Sequence, residues 1–579
     1  LIQTTVPAGT TSVYVRIPFH VATAGSTIST LQMKYDDGFV AYLNGAPIAS
    51  ANAPAAPAWN SVATTTHPDS AAVAYVDFDV SGYSHLLQTG TNTLAIHLLN
   101  AGSSSSDLLL VPRLTVQSGT PIEPELVGRM ISPTPGAPNT QVQANLVAFS
   151  RPGGAFSGPF QLTLSTPDPT ETIRYTLDGS TPTATSPLYA GPLTISATTR
   201  VHVRAFGPLG QVGPVKSEAY TFASASVSSF TSDLPIIVLE NFAAGTPGND
   251  FQDAWMSLYD VSSTTGRSSL ADLASFSSFI GQHVRGSSTA GQPKTNLRIE
   301  LRDGLRNDLA ASLLGMPEEA DWVLYAPYNF DRAMIRNTTF YELFRQMGRY
   351  AARTRYVEVY ANFNGGTLDG ADYMGVYVLM ENVKRDPNRV DVDKLYPLQT
   401  AEVDLTGGYI LKLDRSDGEP DASWKTSRGI PTLSGSLLVH VEPERAEVSL
   451  AQRDYIRGYV QAFEDALYGP NSTDPLLGYE AFLDVDPTID HHIMRVFSKD
   501  PDGLRLSTFL VKDRGGKLSF GPVWDFDRAA GADDDARAAD PTGWPMPDVS
   551  WFESDWWGQL FDDPDFTQRA LQCQAERQR

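Results

Sequence analysis

The segment KDRGGKLSFGPVWDFD, residues 512–527, predicts two short β-strands joined by a Gly-Gly turn. Two carboxylates, Asp525 and Asp527, follow the second strand two positions apart, beside Trp524 and Phe526. Hard divalent cations such as Mg2+ need oxygen ligands, and carboxylates at the end of a rigid strand supply them with little ordering cost. The segment therefore predicts a cation site in the last third of the chain.

The composition of the whole chain limits which classes of binding partner are expected. The 579 residues, of which 19% are charged and 41% hydrophobic, are typical of a globular protein with several domains. The formal net charge of −23 argues against binding to nucleic acid or to anionic membranes, which requires a basic face. No apolar run approaches the ~20 residues that cross a bilayer, so we expect no membrane span in this sequence.

Cysteine use and the two ends of the sequence add two expectations. Cys573 is the single cysteine, which excludes an intrachain disulfide and leaves the compartment open. The sequence starts at Leu1 without an initiator methionine, and residues 576–579 continue a helical pattern without a stop signal. Both patterns indicate a fragment of a longer chain, whose missing start could have carried a signal peptide.

Residues 1–118 predict an antiparallel β-sandwich. Polar and apolar residues alternate in SVYVRI (12–17) and TLAIHL (93–98), and the pairs Asp37-Gly38 and Asn44-Gly45 mark tight turns. The segment resembles the galactose-binding-like sandwich modules of large bacterial surface proteins. A sugar-binding module and a spacer without a ligand both remain open, because hairpin turns alone explain the Asp-Gly and Asn-Gly pairs.

A proline-rich linker and a second β module follow. Residues 119–145 are predicted to be the linker, because closely spaced prolines stiffen a segment and keep it out of a core. Within residues 146–225, TIRYTLDGSTPT (172–183) resembles the C-terminal β-sandwich domain of chitobiase and β-hexosaminidase. In that family this module is an accessory to a catalytic barrel, and Asp178 is better explained as a turn former than as a catalytic acid.

Residues 233–579 have a different character, with strands such as GVYVL (375–379) between amphipathic helices, and they predict an α+β domain. Several ordered motifs in this region together resemble the CotH family of atypical protein kinases. They are VRGSS (284–288) followed by Lys294, LGMPEEADWVLY (314–325), IRN (335–337), GVYVLME (375–381), GGYILK (407–412) and WDFD (524–527). The expected fold class is therefore multidomain, with two all-β sandwich modules followed by an α+β atypical kinase-like domain.

The resemblance implies ATP-dependent phosphorylation of Ser or Thr on a protein, with ATP and Mg2+ or Mn2+ as cofactors. By this resemblance Asp525 is the metal-binding carboxylate and Asp527 a second metal ligand. Asp502 fits the acid that orients or deprotonates the attacking hydroxyl.

The same resemblance assigns the ATP-binding residues. Lys412, at the end of a strand, is expected to contact phosphates and to pair with Glu381. Arg285 and Lys294 are further phosphate-binding candidates, since arginine is suited to bidentate phosphate contacts.

One position departs from the protein-kinase pattern. A kinase catalytic loop carries an amide five residues after its catalytic Asp, and Ser507 stands there instead. Its hydroxyl could coordinate Mg2+, but more weakly than an acid or amide, and Asp500 could compensate. The departure weakens the case for catalysis more than the case for nucleotide binding.

Simpler explanations stay open for several of these residues. Asp525 and Asp527 could form an acidic turn that pairs with Arg514 or Arg528. Lys412 could form only a surface ion pair with Asp414 or Glu381. Of the remaining candidates, His491 and His492 are predicted on a helix surface, 533–535 in a solvated loop, and Trp551, Trp556 and Trp557 in the core.

The leading hypothesis is a CotH-type kinase that acts on a secreted or surface protein, outside the cell or on a bacterial surface. A rival hypothesis is a catalytically inactive CotH-like scaffold or adhesin whose β modules bind carbohydrate. A third, carbohydrate processing, rests only on the module near residues 176–182.

Overall fold

The computed structural model describes residues 9–21, 27–88, 90–103, 105, 108–116, 120–122, 144–208, 210–286, 292–415, 423–433, 435–532, 536–541 and 552–577. Most of the predicted linker, the acidic run 533–535 and Trp551 lie outside these residues. The chain divides into two compact units. The first comprises Leu1–Arg151, Gln161–Leu193 and Val201–Ser217, and the second Pro152–Phe160, Thr194–Arg200 and Glu218–Arg579.

The first unit begins with two four-stranded sheets. Their elements are β1 (Ser12–Val21), β2 (Ile28–Tyr35), β3 (Gly38–Leu43), β4 (Ala46–Ala51), the helix α1 (Asp69–Ala72), β5 (Val76–Asp79), a 3-10 helix (Ser81–Leu86), β6 (Gly90–Leu99), β7 (Leu110–Val116) and β8 (Thr120–Ile122). The sheet orders are β1-β6-β3-β4 and β5-β2-β7-β8. Leu31, Phe39 and Leu94 belong to one core contributed by both sheets, which is the predicted sandwich. Asn44 and Gly45, with φ of 48° and 90°, form the tight turn between β3 and β4.

The second β module contains short strands. They are β9 (Ala148–Phe149), β10 (Gly154–Phe156), β11 (Phe160–Leu162), β12 (Leu164–Ser165), β13 (Thr172–Thr176), β14 (Leu193–Ile195), β15 (Thr199–Phe206) and β16 (Lys216–Phe222). In the first unit, β13 pairs antiparallel with β15; in the second unit, β10 pairs parallel with β16. The carboxylate of Asp178 accepts hydrogen bonds from the amide and hydroxyl of Ser180, at 2.9 and 2.6 Å, as expected of a turn former.

The rest of the second unit mixes strands and helices, as predicted. Its elements are α2 (Ala225–Ser228), β17 (Thr231–Ser232), β18 (Ile236–Glu240), β19 (Gln252–Tyr259), β20 (Ser268–Ser269), β21 (Phe276–Val284), β22 (Leu297–Arg302), β23 (Asp321–Tyr325), α3 (Arg336–Gln346), β24 (Thr354–Asn362), β25 (Tyr373–Glu381), α4 (Glu402–Leu405), β26 (Tyr409–Arg415), β27 (Ser423–Trp424), β28 (Ser436–Glu442), α5 (Leu450–Leu467), α6 (Val485–Phe497), β29 (Thr508–Lys512), β30 (Leu518–Phe520), α7 (Trp557–Phe561) and α8 (Pro564–Arg577). Short 3-10 helices lie at Gly370–Asp372, Tyr479–Ala481 and Ala536–Ala538.

Seven of these strands close into a barrel in the order β18-β19-β21-β22-β23-β25-β24. Strand β23 explains how the barrel connects to α3. Its alternate residues Trp322 and Leu324 pack inside the barrel, whereas Val323 and Tyr325 pack in the cluster that includes α3. Because both faces of β23 are buried, the strand is apolar almost throughout.

A five-stranded sheet, β27-β28-β26-β29-β30, forms the second layer of this region. One face of β26 carries Leu411 and Leu413, which pack against α5 and α6 in the largest core. Lys412 and Asp414 alternate with these residues and therefore lie on the opposite face of the sheet. This opposite face borders the site described below.

Helix α6 corrects one prediction from the sequence. His491 and His492 are fully buried, not on a helix surface. Their rings pack on Phe520 and Trp557, at 5.9 and 4.8 Å between centroids, because α6 lies between the sheet and the terminal helices. Trp556, like Trp557, is buried as predicted. In the described part of the chain, no helix is long and apolar enough to cross a membrane.

A buried carboxylate at one end of the barrel makes the stability depend on pH. Glu240 accepts hydrogen bonds from the Phe242 amide and the Asn362 side chain, both at 2.8 Å. Burial nevertheless raises its pKa from 4.5 to about 8. As pH rises, the Glu240 carboxyl therefore loses its proton at a lower pH in the unfolded chain than in the folded one. The free energy of unfolding should fall as pH rises from about 4.5 to about 8.

We expect Glu240→Gln to remove this part of the pH dependence, whatever its effect on the stability itself. The measurement is urea unfolding at a series of pH values for wild type and variant. Glu342→Gln, which changes an exposed carboxylate on α3, is the control. Parallel wild-type and Glu240→Gln profiles across this range would contradict the prediction.

Candidate functional site

Asp525 and Ser507 meet beside the β29–β30 hairpin. Ser507 directly precedes β29 and Asp525 follows β30, so the antiparallel pairing of the two strands brings both residues to one place. The Ser507 hydroxyl donates to the Asp525 carboxylate at 3.3 Å. Both residues have left-handed backbones, with φ of 49° and 67°. Such conformations cost energy for residues other than glycine and cluster at functional sites.

Helix α3 holds the backbone of this segment. The amide of Asp525 donates to the Tyr341 hydroxyl at 3.1 Å, and the amide of Phe526 donates to the Asn337 side chain at 2.6 Å. Tyr341 also stacks on Trp524, with 5.8 Å between ring centroids. Both helix residues are fully buried, so α3 fixes where the Asp525 carboxylate points. Asn337 belongs to the IRN motif (335–337), one of the motifs that carry the family resemblance, but no role for Asn337 was predicted from the sequence.

The charges around Asp525 are crowded. Burial is the main reason that the pKa of Asp525 is raised, and the carboxylate of Asp414 raises it further. The guanidinium groups of Arg495 and Arg285 act in the opposite direction, while Asp502 adds to the increase. Burial and neighbouring carboxylates therefore outweigh the two guanidinium groups in setting the pKa of Asp525.

Two more carboxylates belong to this group. Burial raises the pKa of Asp527 well above its usual range, and Asp525 and Asp500 add to this increase. Burial likewise raises the pKa of Asp500 to about 6, against the attraction of Arg495.

Arg495 on α6 organises the loop between α6 and β29. Its guanidinium donates to the Asp500 carboxylate and, at 3.0 Å, to the Ser507 carbonyl. It also lies 4.6 Å from the ring centroid of Phe526. Sequence reasoning missed this residue. The available signal was a charged residue in the middle of an apolar helix, which is rarely buried unless it has a partner.

Asp502 lies where this loop is accessible to solvent, with 28% of its side chain exposed. Three guanidinium groups surround its carboxylate: Arg505 at 3.3 Å, Arg537 at 3.6 Å and Arg528 at 3.7 Å. Its backbone amide donates to Asp500 at 3.1 Å. Asp502 is thus held in place with part of its side chain accessible to solvent.

Arg285, immediately after β21, lies close to Asp525. Its guanidinium is 5.2 Å from the ring centroid of Trp524. Burial lowers its pKa, while the negative charges of Asp525 and Asp414 raise it. The structure therefore brings this predicted ATP-binding residue together with the predicted metal ligand.

Lys412 is linked to the charged residues around Asp525 through Asp414. Its ammonium lies 3.3 Å from the Asp414 carboxylate, one of the two ion pairs that the sequence left open. Since Asp414 acts on both Asp525 and Arg285, Lys412 borders the site.

Glu381 has a different partner from the one predicted. The structure pairs it with Arg353 instead of with Lys412: the guanidinium donates at 2.7 Å and the Arg353 amide at 2.9 Å. Tyr350 donates a further hydrogen bond at 3.2 Å. The reason is strand register. Glu381 is the last residue of β25, and it lies beside the start of β24, which directly follows Arg353 in the chain.

Lys294 also has contacts other than those predicted. Its ammonium donates to the Val376 carbonyl and lies 4.5 Å from the ring centroid of Tyr377. Burial lowers its pKa to about 8, and Glu358 is the opposing charge. These contacts tie Lys294 to barrel strand β25 rather than to the carboxylates around Asp525.

The donor atoms suit a cation that arrives with a phosphate ligand. Among the described residues, no group of three or more His, Cys, Asp or Glu is arranged to hold a metal ion. Mg2+ in phosphoryl-transfer sites is usually bound by one or two carboxylates, with substrate phosphates as further ligands. Asp525 together with the Ser507 hydroxyl supplies oxygen donors of this kind.

Two families match the sequence. The CotH kinase protein family matches residues 283–576, just over half of the chain. The chitobiase/β-hexosaminidase C-terminal domain matches residues 151–217. A search for curated relatives found no match.

Similar solved structures include two enzymes and a lectin. A β-D-glucuronidase for Dictyoglomus thermophilum has 8% sequence identity and a TM-score of 0.12, and the match covers 37% of this chain and 36% of the glucuronidase chain. A Faecalibacterium prausnitzii β-glucuronidase has 12% identity and a TM-score of 0.12, covering 36% and 37%. A Pleurotus ostreatus lectin in complex with GalNAc has 11% identity and a TM-score of 0.14, covering 37% and 78%. The chain spans about a third of each glucuronidase, and TM-scores this low support no conclusion.

We expect Tyr341→Phe to loosen the segment that carries Asp525. The substitution keeps the ring that packs on Trp524 but removes the acceptor for the Asp525 amide, which should cost about 0.5–1.5 kcal/mol of stability. Hydrogen exchange of the peptide covering residues 521–527 should become faster. Tyr455→Phe, on α5, is the matched control. Unchanged exchange in Tyr341→Phe would show that the hydroxyl does not hold this segment.

Proposed function

The chain belongs to the CotH kinase protein family, and from this premise we propose that it is a protein kinase that uses ATP with Mg2+ or Mn2+. The acceptor is Ser or Thr on a secreted or surface protein, and the kinase itself lies outside the cell or on a bacterial surface. The observation that carries the proposal is the convergence of Asp525, Ser507 and Asp502 in one charged, partly accessible site.

In this proposal Asp525 and Ser507 hold the cation. Their oxygens lie together, and the left-handed backbone of Asp525 is held by two hydrogen bonds from the segment to α3. The cation supplies positive charge next to the phosphates. Asp527, buried beside Asp525, is the second candidate ligand.

Arg285 and Lys412 are the proposed phosphate-binding residues. Arg285 is stacked on Trp524 beside Asp525, so its guanidinium is already oriented before a ligand arrives. Lys412 is held by Asp414, and both side chains are partly exposed. Glu381 pairs with Arg353 instead of with Lys412, and Lys294 contacts the barrel, so phosphate binding by these two residues stays a prediction from the sequence.

Asp502 is the proposed base. Its partly exposed carboxylate can accept a hydrogen bond from an acceptor hydroxyl and then its proton. The acceptor oxygen forms a bond to the γ-phosphorus as the bond to the β,γ-bridging oxygen breaks, and ADP leaves. Ser507 in place of an amide leaves the second-metal position of protein kinases with a weaker donor.

We expect wild-type protein to transfer labelled phosphate from ATP, to itself or to a Ser-rich acceptor, in the presence of Mg2+ or Mn2+. Asp502→Ala should lower the rate by about 10²–10⁴-fold, the usual contribution of a general base, while nucleotide binding persists. Asp525→Ala should weaken metal-dependent ATP binding as well as transfer. Asp486→Ala, at an exposed carboxylate on α6, is the control.

Binding of ATP and transfer of phosphate are to be measured separately. Equal transfer signals in wild type, Asp502→Ala and Asp525→Ala would favour the inactive scaffold. Failure of the wild-type protein to bind ATP with either cation would contradict the proposed function altogether. Carbohydrate binding by the β modules stays a prediction from the sequence.

A further inference from the structure

Arg528 is a cation next to Asp502. One Nη of its guanidinium is 3.7 Å from the Asp502 carboxylate. It directly follows the segment that carries Asp525 and Asp527. It is thus a cation close both to the proposed base and to the proposed metal-binding segment.

The side chain of Arg528 is oriented by its surroundings. Its guanidinium lies 4.8 Å from the ring centroid of Phe330, and 32% of the side chain is exposed. An aromatic face below a guanidinium restricts its motion, and the planar N–H edge is the part of the group that binds anionic oxygens. Arg528 is therefore suited to contact a ligand that enters the site.

The other two arginines around Asp502 have different surroundings. Arg505 turns back on its own loop, where it donates to the Pro501 carbonyl. Arg537 belongs to the 3-10 helix Ala536–Ala538. Of the three, Arg528 is the one in the same segment as Asp525.

Distances place this guanidinium near the group that is transferred. An acceptor oxygen lies about 3 Å from its base, and the reacting phosphorus about 3–3.5 Å from that oxygen. The phosphoryl group is therefore within roughly 6 Å of the Asp502 carboxylate. A guanidinium 3.7 Å from the same carboxylate reaches the phosphoryl oxygens if the acceptor enters on the side of Asp502 that faces Arg528.

We propose that Arg528 is a catalytic residue that stabilises the transferring phosphoryl group, an assignment that rests on the proposed kinase function. In the transfer, negative charge builds up on the three equatorial oxygens while the hydroxyl proton passes to Asp502 and ADP departs. The planar, always charged guanidinium can donate two hydrogen bonds to these oxygens. Arg285, beside Asp525 and Asp414, binds the phosphates that remain on the nucleotide.

The first test compares Arg528→Gln and Arg528→Lys with wild type and with Arg569→Gln, which changes a partly exposed arginine on α8. We expect kcat of Arg528→Gln to fall about 100-fold or more, with KM for ATP changed less than about threefold. Arg528→Lys should recover only part of the loss, because lysine lacks the planar fork. Added guanidinium ion should partly restore transfer by Arg528→Gln, a rescue that a merely structural role would not produce.

The second test does not need turnover. Calorimetry should show that Arg528→Gln loses affinity for ADP with Mg2+ and aluminium fluoride, a transition-state analogue, while its affinity for a non-hydrolysable ATP analogue stays near that of wild type. Circular dichroism and melting temperature check that the variants fold.

The outcomes separate the two proposals. The role of Arg528 alone is contradicted if wild type is active and kcat of Arg528→Gln is within threefold of it. It is also contradicted if Arg528→Gln loses affinity for both analogues equally. Wild type that binds neither analogue contradicts the proposed function and this assignment together.

Discussion

The crowding of carboxylates around Asp525 is the constraint on which the rest of the site depends. Buried acids repel each other and lose hydration, so they persist only where cations and hydrogen bonds offset that cost. Arg495 provides much of this compensation: it binds Asp500 and the Ser507 carbonyl and covers Phe526. Arg285 adds to it from the barrel side. The site thus concentrates carboxylate oxygens and cations in one place, as the proposed binding of a metal–nucleotide complex requires.

This arrangement requires precise support from distant parts of the chain. Side chains on helix α3 accept hydrogen bonds from the amides of Asp525 and Phe526. Val323 and Tyr325 of β23 pack α3 against the barrel. Helix α6 supplies Arg495 and is itself packed between the sheet and α8. The large buried cores therefore act on function through orientation, since a shift of either helix would move the carboxylates relative to each other.

Much of the fold could be predicted from the sequence, and the failures have a common cause. Alternation and turn residues predicted the sandwich, and the α+β region was predicted to contain amphipathic helices, of which α5 is one. The ordered motifs pointed to Asp525 and Arg285, and the comparison with the kinase catalytic loop pointed to Ser507; the structure brings all three together. The pairing of Glu381 with Arg353 and the burial of His491 were missed, because strand register and helix packing between layers leave no mark in local sequence.

The sequence by itself determined the β-sandwich and α+β regions, the family to which the chain belongs, and the presence of acids after β30. Only the tertiary structure decided which charges face each other. It placed Lys412 with Asp414, Lys294 on the barrel, and Arg528 beside Asp502. The reason is physical: backbone conformation follows from neighbouring residues, whereas electrostatic interactions depend on distances between side chains that only packing sets.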